Sequence, residues 1–302
     1  MKLKHVVESQ QFTVPLLMEL FVRARGMERL VARGGSLDYQ NRIMATVFYA
    51  PSTRTRFSFE AAMHRLGGRV LSTEQARVFS SEVEGEQVED SIRVIASYSD
   101  VIVIRHNEEG GAKRAAEVSP VPVINAGEKG GQHPTQALLD LYTIYRERPL
   151  DGLSVAIIGE LDQGRTARSL AYLLAKFDRV KIFFVSPPEL QMKPDILEYL
   201  DEHDVHYELE SDLDRVIREV DVVYQTRVKP ERVNDIKSLK RFAIDSAVLQ
   251  RMKPDAMILH PLPRTVELDK TVDDDPRALY FRQAVNGLYV RMALLTMLLD
   301  KD

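Results

Sequence analysis

The 302-residue sequence contains no cysteine, which excludes disulfides, thiolate zinc sites and cysteine nucleophiles together. No apolar run approaches the ~20 residues needed to span a bilayer. The opening, "MKLKHVVESQQF", lacks the apolar core of a secretory signal. A cytoplasmic location is therefore expected. There is no excess of basic charge: 41 Lys and Arg stand against 45 Asp and Glu, for a formal net charge of -4. The basic residues are spread along the chain, so neither nucleic acid nor a polybasic membrane surface is an expected partner. Internal repeats and low-complexity tracts are also missing. What remains is an ordinary globular composition, 44% hydrophobic and 28% charged. It can fill a sizeable core at a length that favours two domains.

Strand-like and helix-like segments alternate throughout, the pattern of parallel sheets with helices on both faces. The expected fold class is α/β, with two doubly wound parallel-sheet domains linked by helices. In the first half, strands are predicted at Ile43–Tyr49, Val101–Ile104 and Val121–Asn125. Helices are predicted over 57–66, 90–98, 112–118 and 134–148. "RERPLDG", residues 146 to 152, punctuates the chain and marks the expected boundary. The second half predicts strands at Ser154–Ile158, Val180–Val185, Val205–Leu209, Asp221–Gln225 and Ala256–Leu259. Its helices are expected over 165–177, 194–202, 212–220 and 277–299.

In open parallel sheets, ligands bind beyond the carboxyl ends of the strands, and the polar residues of interest fall there. "YAPSTRTRFSFE" places Ser52, Thr53, Arg54, Thr55 and Arg56 where a strand gives way to a helix. A helix N-terminus offers unpaired N–H groups and a positive dipole end to a phosphate, and the hydroxyls and guanidinium forks add donors. Capping by Ser52 explains one hydroxyl, not five polar residues. Arg105 ends the second strand. "GGQHPTQALLD" sets His133 and Gln136 at a helix start after a glycine-rich loop. Together these suggest a pocket for a small phosphorylated carbonyl compound, with His133 donating to the carbonyl oxygen.

"IIGELDQGRTARS" nearly fits a P-loop, but Arg165 stands where lysine is needed, and Glu160 and Asp162 repel a triphosphate. Carboxylate binding by Arg165 fits better. "QTRVKPER" offers Arg227, Lys229 and Arg232, with plain surface exposure as the alternative for the last two. "ILHPLPR" presents carbonyls that can accept from an amino group. His203 and His206 are read as surface residues and Asp273–Asp275 as helix-capping acids. Met292 and Met297 are read as core.

In order, "STRTRFSFE", "RH" after an apolar strand, "HPTQALLDLYTI", "GRTARSLAYLL", "QTR" and "HPLPR" resemble the aspartate carbamoyltransferase catalytic-chain family of the aspartate/ornithine carbamoyltransferase superfamily. The resemblance runs from Phe48 to the "NGLYVRMALL" helix. "STRTR" belongs to the whole superfamily, while "GRT" and "TR" point to the aspartate branch. It implies a carbamoyl-phosphate domain, 1–146 plus 286–302, and an aspartate domain, 147–285. It further implies a pyrimidine-biosynthesis transferase that works as a homotrimer with shared active sites and needs no cofactor or metal.

By motif, Ser52, Thr53, Arg54 and Thr55 would hold the phosphate. Thr55, Arg105 and His133 would polarise the carbamoyl oxygen. Gln136 and the carbonyls of Pro261 and Leu262 would orient the amide, and Arg165 and Arg227 would bind the carboxylates of aspartate. Association with regulatory chains or dihydroorotase stays open.

Three positions depart from the family pattern. "FSSEVEGEQVED" matches a loop that reaches a neighbouring subunit's site. Its Ser80 fits, but the family's phosphate-contacting lysine falls on Glu84. A family glutamine in the acceptor site falls on Lys229, and a glutamate used by some members in domain closure falls on Ala50. A like-charge contact at 4 Å costs ~4 kcal/mol at an effective dielectric of 20. Three readings follow: an aspartate enzyme whose loop turns Glu84 away, a carbamoyltransferase for another amino acid, or a non-catalytic binding or assembly subunit.

Overall fold

A computed structural model of the chain describes residues 3–74, 86–233 and 236–300. The chain divides into two compact units, Met1–Leu138 with Asn286–Asp302, and Leu139–Val285. The division falls inside a helix, earlier than the punctuation at 146–152.

The first unit holds a four-stranded, wholly parallel sheet in the order β2-β1-β3-β4. Its strands are β1 (Ile43–Phe48), β2 (Arg69–Glu74), β3 (Val101–Arg105) and β4 (Val123–Asn125). Its helices are α1 (Val14–Ala32), α2 (Thr53–Arg65), α3 (Val88–Ala96) and α4 (Gly111–Val118). The start of α5 (Pro134–Glu147) also belongs to it. Val101 to Ile104 are fully buried, as expected of a strand covered on both faces. On one side Ala45, Val47, Ile92, Ile104 and Ala115 form one core.

Two of these elements lie outside the sequence expectations. α1 buries Leu17, Leu20, Phe21 and Ala24 on one stripe. β2 is an edge strand whose side chains stay largely accessible, so it lacks the apolar alternation by which strands are found. Its membership rests on backbone pairing from Ile43 with Arg69 through Phe48 with Glu74.

The second unit holds a five-stranded parallel sheet in the order β7-β6-β5-β8-β9. It comprises β5 (Ser154–Ile158), β6 (Lys181–Val185), β7 (His206–Glu210), β8 (Val222–Gln225) and β9 (Met257–Leu259). Between them lie α6 (Arg165–Leu174), α7 (Pro194–Glu202), α8 (Leu213–Val216) and α9 (Ser246–Leu249). The last helix, α10 (Tyr280–Leu299), begins in this unit and ends in the first. The predicted helix over 212–220 is a single turn. Leu213, Val216, Ile217 and Val220 are nevertheless all buried, so the apolar spacing continues to fill the core past the end of the regular turn.

α10 starts later than expected because the chain before it pairs with β9. Ile258 N–H donates to Arg277 C=O at 2.8 Å, and Leu279 N–H to Ile258 C=O at 2.9 Å. Asp273 and Asp275 are therefore not caps of this helix. Asp275 binds the Arg277 guanidinium and Asp273 binds Arg264. Among the described residues no helix is long and apolar enough to cross a membrane.

Candidate active site

Ser52 sits in extended backbone at the cap position of α2, yet makes no side-chain cap. Its Oγ accepts instead from the Arg105 guanidinium at 3.2 Å, and its own N–H donates to Glu74 at 3.2 Å. The first amides of α2 are thus not capped by the residue placed to cap them, and their positive end stays available to an anion. β1 and β3 are neighbours, and Tyr49 N–H donates to Arg105 C=O at 2.9 Å. This pairing is what brings Arg105 to Ser52. Thr53 and Arg54 are exposed, while Thr55 is buried.

The two arginines of the motif separate sharply. Arg56 is held by Glu74 at 3.0 Å and by the Ser72 hydroxyl at 3.2 Å, so it fastens α2 to the sheet edge. Arg54 has no hydrogen bond or ion pair among the described residues, and desolvation draws its guanidinium below its ordinary pKa. An accessible cation without a carboxylate beside an open helix end suits a phosphate.

His133 is buried and starts α5, its C=O accepting from Gln136 N–H at 3.0 Å. Gly127 has φ +99, and a Cβ there would come within 2.7 Å of the His133 ring. Glycine is needed at 127 both for the turn and to seat the imidazole. Gln136 is half-buried on the first turn.

Sequence reasoning missed the residues that fix this loop. Gln132 accepts from Ser9 N–H at 2.8 Å and donates to Gln10 at 2.7 Å. Glu128 is buried, and burial raises its carboxyl above the usual range against the N–H groups of Ala112, Gly110 and Gln132, which pull it down. It thereby ties the loop to the start of α4. Only the fold brings Ser9 to Gln132, so no local signal marks them. His106, beside Arg105, packs edge-on to Tyr49 at 4.8 Å and is structural.

In the second unit the loop after β5 carries Arg165 at the first position of α6, and the loop after β8 carries Arg227 and Lys229. Neighbouring strands deliver both loops to the same sheet end. Gly159, at φ +125, lies so close to Thr226 that a Cβ would fall 2.4 Å from its hydroxyl. The glycine behind the near-match to a P-loop thus serves loop-to-loop packing. Thr226 donates from N–H and hydroxyl to Ile158 C=O, at 2.7 and 2.8 Å.

Glu160 and Asp162, expected to repel anions, are instead neutralised by Arg232 at 2.5 and 2.7 Å. Arg227 is exposed and Lys229 half-buried, and neither side chain has a hydrogen bond or ion pair among the described residues.

The "HPLPR" turn is braced beneath its carbonyls. His260 Nδ1 accepts from Leu262 N–H at 2.8 Å, which leaves Nε2 to donate to Glu267 at 2.9 Å. Burial alone would raise the Glu267 carboxyl, but hydrogen bonds from His260 and from Thr265 hydroxyl and N–H hold it at about 2. Leu262 adopts φ +52, a conformation costly for a branched residue and retained by these bonds. Behind the turn, His260 N–H donates to Gln283, Gln283 to Asp140, and the Tyr224 hydroxyl to Asp140 at 2.7 Å. None of this chain was legible beforehand.

Ser80 and Glu84 lie outside the described residues. His206 is exposed, and His203 stacks on Tyr199 at 4.0 Å. Among the described residues, no group of three or more His, Asp or Glu could hold a metal ion.

Residues 4–146 match the family described as aspartate/ornithine carbamoyltransferase, carbamoyl-P binding domain. Residues 151–298 match its Asp/Orn binding domain. The chain belongs to the aspartate/ornithine carbamoyltransferase family. It is 52% identical over 311 residues to the chloroplastic aspartate carbamoyltransferase of Oryza sativa subsp. japonica, covering 99% of this chain and 86% of the relative. To the aspartate carbamoyltransferase catalytic subunit of Methanothrix thermoacetophila it is 45% identical, with 99% of each covered.

Among solved structures, it superposes with a TM-score of 0.94 and 39% identity on aspartate transcarbamoylase from Trypanosoma cruzi in complex with carbamoyl phosphate and aspartate. That match covers 99% of this chain and 96% of the other. The M. jannaschii catalytic subunit gives 0.90 and 43%, with 98% of each covered. The two parallel-sheet units are those of the carbamoyltransferase fold.

Proposed function

We propose that the chain transfers the carbamoyl group of carbamoyl phosphate to the α-amino group of L-aspartate, the pyrimidine-forming reaction. The observation that carries this reading is the α2 N-terminus, where Ser52 makes no side-chain cap and Arg54 has no ion pair among the described residues. Relatives of high identity named aspartate carbamoyltransferase support the same acceptor.

In this mechanism Ser52, Thr53, Arg54 and Thr55 hold the phosphate. Thr55, Arg105 and His133 donate to the carbamoyl oxygen, while Gln136 and the carbonyls of Pro261 and Leu262 orient the nitrogen. Arg165 and Arg227 take the two carboxylates of aspartate. The neutral amine attacks the carbamoyl carbon, and negative charge grows on its oxygen. Each pre-aimed donor stabilises that charge by about 3 kcal/mol. The carbon–oxygen bond to phosphate then breaks, and the departing phosphate accepts the amine proton. Holding both reactants in line supplies a further entropic advantage.

The homotrimer belongs to the same proposal. β2 is an edge of its sheet among the described residues, and Leu71 within it and Phe57 of α2 are 49% and 56% exposed. Light scattering of the purified protein tests it, and a monomer that turns over aspartate would refute shared sites. A cytoplasmic location, unlike the plant relatives named chloroplastic, is tested by fractionation.

Purified protein supplied with carbamoyl phosphate and aspartate should form carbamoyl aspartate and phosphate in equal amounts. Turnover only with another amino acid would select a different acceptor, and Lys229 is the residue that favours that reading. Binding of carbamoyl phosphate without turnover would make the chain a binding subunit.

A further inference from the structure

Arg232 stands apart from Arg227 and Lys229, whose side chains have no ion pair among the described residues, because its own charge is already used. Its two terminal nitrogens grip Asp162 at 3.1 and 2.7 Å, in the fork-to-fork geometry that fixes orientation as well as distance. The first of them also meets Glu160 at 2.5 Å, and the second Glu160 oxygen accepts from Lys229 N–H at 3.4 Å. All three side chains are at least three-quarters buried. One end of this cluster belongs to the loop that leads into Arg165. The other belongs to the loop that displays Arg227 and Lys229. The loops also touch through Gly159 and Thr226, and Val228, Val233, Leu190 and Leu239 form a small apolar cluster beneath them.

We propose that Arg232 and Asp162 form a brace that pre-positions the 226–233 loop against the loop of Arg165, setting the spacing of the guanidinium groups that read a dicarboxylate acceptor. This rests on aspartate being the acceptor. Arg232 acts through Arg227 and Arg165 and is a positioning residue, not a catalytic one. Its second effect is to mask two carboxylates that would otherwise face an incoming dianion.

Positioning and simple charge predict opposite signs, and this makes the proposal testable. Asp162→Ala removes a negative charge from the acceptor side. Were electrostatics all that mattered, aspartate would bind more tightly. Loss of the brace should instead raise the aspartate KM about tenfold, leaving the carbamoyl phosphate KM and kcat at saturation within about threefold. Arg232→Lys keeps the charge but loses the fork, and should raise the aspartate KM similarly. Asp162→Glu should restore most of the loss.

An aspartate KM that falls or stays unchanged in Asp162→Ala overturns the proposal. So does a lower melting temperature with both KM values moving together, which would make the cluster merely structural. If the wild-type protein does not use aspartate, the functional reading fails by itself. Amide hydrogen exchange over 226–233 then decides the brace: faster exchange in Asp162→Ala supports it, and unchanged exchange removes it.

Discussion

At the α2 junction Arg54 meets no carboxylate among the described residues, whereas in the second unit Arg232 meets two. Each unit nevertheless contains both kinds of arginine. Arg56 is committed to Glu74 while Arg54 has no ion pair among the described residues, and Arg232 is committed to Glu160 and Asp162 while Arg227 has none among them. The difference lies in what supplies rigidity. In the first unit it is the regular start of a helix, whose end has no side-chain cap and is of a kind that suits an anion. In the second it is an ionic cluster between two irregular loops, whose charges are already paired with one another.

Arg54→Ala and Arg56→Ala attack the comparison directly. The first should lower kcat by 10²–10³-fold, the loss of one donor to the phosphate or oxyanion, with the melting temperature almost unchanged. The second should destabilise by about 1–2 kcal/mol with turnover changed less than tenfold. Steady-state kinetics and denaturant unfolding of both variants check this, and equal kinetic losses would erase the division of labour.

A second pair contrasts His133, seated by glycine, with the "HPLPR" turn, seated by charge. Glu267 is held at about 2 against an ordinary 4.5. A depressed carboxyl pKa contributes stability that is complete above 4.5 and is lost as pH falls through about 2. Two and a half pKa units correspond to about 3 kcal/mol. Glu267→Gln should therefore be less stable than wild type by about that much at pH 7. The gap should narrow between pH 4.5 and 2, read from urea unfolding at each pH.

On the acceptor side, Arg227→Ala should raise the aspartate KM about 10–100-fold, the value of a charge-assisted hydrogen-bonded contact, with the carbamoyl phosphate KM unchanged. A rise in both would mean that the two units do not divide the substrates between them. The smallest effect is expected from Glu84→Lys. Restoring the family's cation should increase aspartate turnover severalfold, and no gain would give Glu84 a substrate contact of its own.

The family and its anion-binding motifs were legible because each depends on contiguous residues. "STRTR", "HPTQ" and "HPLPR" encode a turn, a helix start and their side chains within a few positions, and burial of apolar strands encodes the two parallel sheets. α1 has the periodicity of a helix but lacks acidic residues in its first turn, and β2 carries no apolar face to announce it. Asp273 and Asp275 lie before a helix in sequence, but the fold pairs them with Arg264 and Arg277.

Charge itself could be counted from the sequence, yet its availability could not. The family motif singles out Arg54, but nothing in the sequence shows that Arg56 is tied up by Glu74, or that Glu160 and Asp162 are neutralised by a residue some seventy positions away. Those assignments depend on which strands lie side by side, since a carboxylate quenches a cation only within a few ångströms. Residue type and local spacing settled the chemistry this chain has at hand, and tertiary contact decided which of its charges are left to use.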